Sequence, residues 1–209
     1  MQTMEEVWKR IEVWLATHAS HILGYLQPGA TDEEIRQAEV VMGVELPEDV
    51  KASYRLHNGS AHLPLIERLS LNSLEEMVQL WQGMKRILDD QDPTDEYIFG
   101  VDEEQSDLEP LPVKAVWWCP KWIPLLEFGN GDGLYVDLAP GPKGRSGQLV
   151  SFWHEDASMN DLVAPSWQAY LSAFADDLEA GKYFIDEWDD LATTDDLTQQ
   201  ARWTWVDRY

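Results

Sequence analysis

Four short apolar runs, Val113 to Trp118, Trp122 to Phe128, Leu134 to Asp137 and Gln148 to His154, are rich in aromatic and branched residues. They do more than any other feature to restrict what this chain can fold into. Gly129-Asn130-Gly131-Asp132-Gly133 joins the second run to the third, and Pro140 to Gly147 joins the third to the fourth. Both links are turn sequences. A parallel crossover needs roughly a dozen residues or more, so these strands must pair antiparallel. A meander of about four strands follows, and the expected class is α+β, with a mainly antiparallel sheet of four to six strands.

The rest of the chain carries helical spacing. Met4, Val7, Trp8, Ile11, Trp14 and Leu15 recur at three- and four-residue intervals, which predicts an amphipathic helix over Met4 to His18. Thr31-Asp32-Glu33-Glu34 is a capping box that starts a helix with Ile35, Ala38, Val41 and Met42 on its apolar stripe and Gly43 as terminator. Pro47 suits the first turn of a further helix that carries Val50 and Tyr54 inward and ends near Asn58-Gly59. Ser73 and Glu76 repeat the capping box ahead of Leu74, Met77, Val78, Trp81, Ile87 and Leu88. Ser166 is an N-cap for Trp167, Tyr170, Leu171, Phe174 and Leu178, with Gly181 ending that helix after the meander.

Charge narrows the partners. The chain carries 39 Asp and Glu against 15 Lys and Arg, a formal net charge of −24. Such a molecule repels phosphate, so nucleic acid and anionic membrane surfaces are disfavoured and a basic protein partner is favoured. The competing reading is that acidity serves solubility alone. From Ile87 to Val113 there is no Lys or Arg while ten carboxylates occur, which reads as a solvated acidic excursion. A single cysteine, Cys119, cannot make an intrachain disulfide. The first ten residues lack the basic start and apolar stretch of a signal peptide, and no run is long enough to span a bilayer. A cytoplasmic location is expected. One domain over residues 1–209 is expected, with its core at about 31–181, an N-terminal helix at 4–20 and an acidic, aromatic extension at 182–209 that contains Trp203, Trp205 and Tyr209.

Several chemistries can be weighed against structural roles. His18 and His21 could share a helix face, but a metal site needs further ligands and none is identifiable. Asn130, Asp132 and Asp137 do not make a calcium loop, because Leu134 occupies a ligand position. A Cys119 nucleophile with His154 as base is set aside in favour of an inert cysteine in an apolar run. His57 is expected to meet free carbonyls at a helix end. Gly144-Arg145-Ser146-Gly147 lacks the spacing of a phosphate loop. No catalytic residue, metal ligand or cofactor is therefore expected.

Three segments together resemble the SUKH superfamily, whose members include fungal cell-wall synthesis regulators and bacterial immunity proteins. The first runs from Thr31 through Leu46-Pro47 to His57-Asn58-Gly59-Ser60. The second is Trp118-Cys119-Pro120-Lys121-Trp122-Ile123-Pro124. The third runs from Gly129-Asn130-Gly131-Asp132-Gly133 through Asp137 to Gly147-Gln148-Leu149-Val150 and His154. The resemblance implies a scaffold role for Leu46, Pro47, Asn58, Gly59, Trp118, Pro120, Trp122, Pro124, Gly131, Asp132, Asp137 and Gly147, and a function through protein binding without catalysis. The leading expectation is an immunity protein that neutralises a basic toxin, since the compact length lacks the low-complexity extensions of a fungal regulator. The alternative is a regulatory scaffold of cell-wall synthesis or signalling with several weak partners. The acidic positions expected to meet a partner are Asp102, Glu103, Glu104 and Asp107, with Trp118 either an aromatic anchor or a core residue.

Overall fold

In the computed structural model, residues 2–90, 111–155 and 160–193 are described. Helices α1 (Met4–His18), α2 (Ser20–Leu23), α3 (Asp32–Met42) and α4 (Glu48–Tyr54) precede strands β1 (Pro64–Ile66) and β2 (Leu69–Leu71). After α5 (Leu74–Asp90) come β3 (Trp122–Glu127), β4 (Gly133–Asp137), β5 (Gln148–Phe152) and β6 (Leu162–Ala164). Helix α6 (Trp167–Glu179) leads into a hairpin of β7 (Tyr183–Ile185) and β8 (Leu191–Thr193). Strands β1 to β6 form one antiparallel sheet in chain order, so the α+β meander is realised with six strands.

The capping chemistry places the helices. Thr31 and Glu34 satisfy each other's backbone amides at the start of α3, and Gly43 closes it at φ 63°. Ser73 and Glu76 do the same for α5, where Asn58 Oδ1 also accepts the Leu74 N–H at 2.8 Å. A third capping box, Thr3 with Glu6, starts α1. Helix α1 packs on α4 and α6, burying Trp8, Ile11 and Leu15 in the same core as Tyr54, Trp167 and Leu171.

A bulge in β3 between Pro124 and Leu126 sets which residues share a sheet face. Across β3 to β5, one face carries Trp122, Pro124, Glu127, Tyr135, Asp137, Gln148 and Phe152, and the other carries Leu126, Leu134, Val136 and Leu149. On the first face Phe152 is ringed by Trp117, Trp122 and Tyr135 at centroid distances of 6.1, 6.4 and 5.0 Å.

Several expectations need correction. Val113 to Trp118 is not a strand: its backbone runs through bends and joins no sheet among the described residues, with Trp117 packed on Phe152 and Trp118 on Trp81. The segment instead covers the sheet face. Helix α4 stops at Tyr54, since the chain must turn to bridge His57 with Pro28 and to deliver Asn58 to α5. Gly59 completes that turn at φ 98°, and a Cβ there would sit 2.8 Å from the Ser73 nitrogen. Val41 and Ile87, assigned to apolar stripes, are exposed.

Candidate protein-interaction surface

In a meander the first, third and fifth connections lie at one end of the sheet. Here that end gathers the β1–β2 turn (Glu67, Arg68), the β3–β4 turn (Phe128 to Asp132) and the start of the β5–β6 loop (Trp153, His154). The β4–β5 connection, residues 138–147, closes the opposite end.

At the first end Asp132 acts as a clamp. Its Oδ1 accepts the His154 backbone N–H at 2.7 Å and lies 2.7 Å from His154 Nδ1, while Oδ2 accepts from Asn130 Nδ2 at 2.8 Å. Asn130 Oδ1 in turn accepts the Asp132 N–H, and Tyr135 Oη donates to the Gly131 carbonyl. Gly131 holds φ 92°, a conformation other residues adopt only with strain. The His154 carbonyl accepts the Trp117 indole N–H at 2.8 Å, so the clamp extends to the segment covering the sheet. One carboxylate oxygen thus joins the β3–β4 turn to the end of β5, while the other braces the turn internally.

Beside it lies a carboxyl that the sequence did not single out. Glu127 ends β3, is nearly buried, and has its pKa pushed up by desolvation and by the nearby Glu76 carboxylate, with His62 opposing the shift. His62 Nε2 is 2.7 Å from Glu76 Oε1, and Ala61 and His62 both hold positive φ. The one available signal was a charged residue inside an otherwise apolar strand.

The opposite end has its own buried carboxylate. Asp137 is fully buried; its Oδ2 accepts from Gln148 Nε2 at 3.0 Å and its Oδ1 accepts the Ala139 N–H at 2.9 Å. Burial raises its pKa, while these bonds and the Trp122 indole, near the carboxylate but outside hydrogen-bonding geometry, pull the other way. Gln148 Nε2 also donates to the Pro112 carbonyl, and Gly147, at φ 90°, donates its N–H to the Asp137 carbonyl.

The remaining signature residues fall into structural positions. Leu46 is buried, Pro47 is the N-cap of α4, and the Pro120 carbonyl accepts the Trp81 indole N–H. Trp122 is buried, and the Pro124 carbonyl accepts from Asn72 Nδ2. Trp118 is 3% exposed, a core position and not a surface anchor. Asp102, Glu103, Glu104 and Asp107 lie outside the described residues, as do Trp203, Trp205 and Tyr209. His57 was expected to meet free carbonyls at a helix end; it instead meets the carbonyl of Gln27, a loop residue, and its other ring nitrogen lies 2.8 Å from Glu12 Oε1.

Among the described residues, no three His, Cys, Asp or Glu side chains gather as a metal-holding group, and no helix is long and apolar enough to cross a membrane. Two broad, open depressions, one at Arg36, Val40 and Lys121 and one at Glu5, Lys9 and Glu12, include none of Cys119, Glu127, Asp132 or His154.

These features define an α+β fold whose signature polar residues brace the turns of one meandering sheet. Residues 29–173 match the SMI1 / KNR4 family (SUKH-1), and the chain belongs to that family. It is 27% identical, over 90% of its length, to the cell wall assembly regulator SMI1 of Saccharomyces cerevisiae, and 28% identical, over 86%, to a glucan synthesis regulatory protein of Neurospora crassa. With the cell wall biosynthesis/cell cycle regulator smi1 of Schizosaccharomyces pombe it shares 28% identity over 98% of its length. It covers 43%, 39% and 42% of those proteins, so it spans about two fifths of the curated relatives it matches. All three are fungal proteins named as regulators. They favour the regulatory expectation, and the inference from compact length to a bacterial immunity protein finds no support among them.

Proposed function

We propose that this chain is a non-catalytic, protein-binding regulator, working in the cytoplasm as a scaffold for several weak partners in cell-wall synthesis or signalling. The observation that carries the reading is the similarity, over 86% or more of the chain, to proteins named as cell-wall and glucan-synthesis regulators. The site geometry agrees with it. Asp132 spends one carboxylate oxygen on His154 and the other on Asn130, so its hydrogen bonds hold a turn, and neither open depression on the described surface includes Asp132 or His154.

Affinity capture with the purified chain, eluted by a salt gradient and repeated against extract from a fungal cell, tests this. Several partners eluting at low to moderate salt are expected, because their attraction to a chain of net charge −24 is screened by ions. One tight, basic partner resistant to salt would restore the toxin-neutralising reading, for which the same charge would act by steering. Turnover of a small molecule abolished by Asp132→Asn would overturn both.

A further inference from the structure

Of the three Phe, Tyr and Trp side chains exposed on the described surface, Phe184 lies within β7, and the other two stand on turns at one end of the six-stranded sheet. Phe128, in the β3–β4 turn, is 39% exposed and stacks on Trp153 at 6.1 Å and 26°. Trp188, in the β7–β8 turn, is 67% exposed, and the Arg68 guanidinium of the β1–β2 turn lies 5.9 Å from its ring. Strand β2 pairs with β3 through Ser70 and Glu127, so the turns carrying Arg68 and Phe128 are neighbours. Phe128, Trp153 and Trp188 therefore stand at the same end of the sheet.

The Trp188 turn is held from several sides. Asp186 Oδ1 accepts the N–H groups of both Trp188 and Asp190, and the Asp189 carbonyl lies 2.8 Å from His21 Nε2. Tyr183 Oη donates to Glu67, tying the hairpin to the β1–β2 turn. A large exposed ring on a fixed turn costs little entropy to engage, which is the property of an interface anchor.

Charge selects the occupant. Exposed Glu155, Glu187 and Asp189 border these rings, while the opposite end of the sheet carries Lys114, Lys121, Lys143 and Arg145. We propose that the sheet end bearing Phe128, Trp153 and Trp188 is the docking surface for a basic segment of a partner protein, one that places apolar side chains on the rings and Lys or Arg among the carboxylates. This rests on the protein-binding reading and assigns it a place.

The test uses the full chain and two short fluorescent peptides of equal positive charge, one with Leu and one with Gly and Ser between its Lys and Arg residues. Anisotropy titrations at physiological salt compare the wild type with a Phe128→Ser, Trp188→Ser double variant and with Val40→Ser, which alters an exposed residue on α3. Near-ultraviolet circular dichroism checks that each variant is folded. The Leu peptide is expected to bind the wild type and Val40→Ser alike, with an affinity loss of about tenfold or more in the double variant. Equal binding by the double variant, or equal binding of the two peptides, overturns the assignment. So does sedimentation showing a second copy of this chain seated on the rings in place of the peptide. Rejection of the surface with partner capture intact would leave the regulatory reading standing, whereas loss of capture altogether would remove that reading as well.

Discussion

At the β4–β5 end of the sheet the Asp137 carboxylate has no contact with solvent, and its partners Gln148 and Ala139 lie in the strand and turn it joins. At the other end the Asp132 carboxylate makes three contacts, one to Asn130 and two to His154, whose ring is partly exposed, and the exposed Phe128 and Trp188 stand at the same end. Each aspartate closes a hairpin. The Asp137 end is sealed and edged with basic residues, whereas the Asp132 end is rigid, acidic and open. A carboxylate buried with a full set of donors fixes geometry wherever it sits, so a polar signature does not by itself locate function. What differs is whether the geometry so fixed is presented to solvent.

Removing the two carboxylates should separate these roles. Asp137→Ala leaves the buried Gln148 amide and the Ala139 N–H short of an acceptor, and should cost on the order of 3 kcal/mol in chemical denaturation. Asp132→Ala strips acceptors from a less enclosed site, where water can replace part of what is lost, and should cost about 2 kcal/mol. It should also loosen Trp117, whose indole hangs on the His154 carbonyl, and shift the tryptophan fluorescence. If the Asp132 variant proves the less stable of the two, the contrast between a sealed and an open end is wrong.

What could be read from the sequence follows from the range of each signal. Capping boxes at Thr31 and Ser73 are four-residue chemistry, and both helices begin where those residues place them. The β3–β5 meander was legible because its glycine-rich turns are local too. Trp117 and Trp118 misled because their apolar run looks like a strand, whereas the segment is a bent cover whose rings pack on the distant Phe152 and Trp81 without joining the sheet. Strands of three residues, such as β1, β2 and β6, are too short for alternation to register. Asp132 was visible as a turn residue, but its bond to His154 spans 22 positions. Glu127 acquires its character from burial first and from the Glu76 carboxylate second, both of which depend on residues brought together from far along the chain. Trp188 sat unremarked in an acidic stretch because nothing local says that its turn is pinned to α2 and to the β1–β2 turn.

Glu127 offers a smaller effect with a definite sign. Its pKa is raised in the folded protein, so the native state holds a proton that the unfolded chain has released. Stability therefore falls as pH rises from the ordinary glutamate value of 4.5 toward the raised value. Glu127→Gln is neutral at every pH and should melt above the wild type at neutral pH, with the difference vanishing at acidic pH. A constant difference across the titration would mean that the carboxyl is not strained by its surroundings, and that this end is no more tightly built than an ordinary surface.

The smallest expected change in stability is the one that matters most for the comparison. Trp188 is mostly exposed and its turn is held by Asp186 and the Asp189 carbonyl, neither of which depends on the indole ring. Trp188→Ser should therefore cost only about 0.5 kcal/mol, the loss of one exposed cation–π contact with Arg68. A ring kept on the surface without a stabilising role is one the fold can leave free for a partner. Should the variant instead destabilise the protein as much as Asp132→Ala, Trp188 would be a structural residue, and the open end would have lost its most prominent candidate contact.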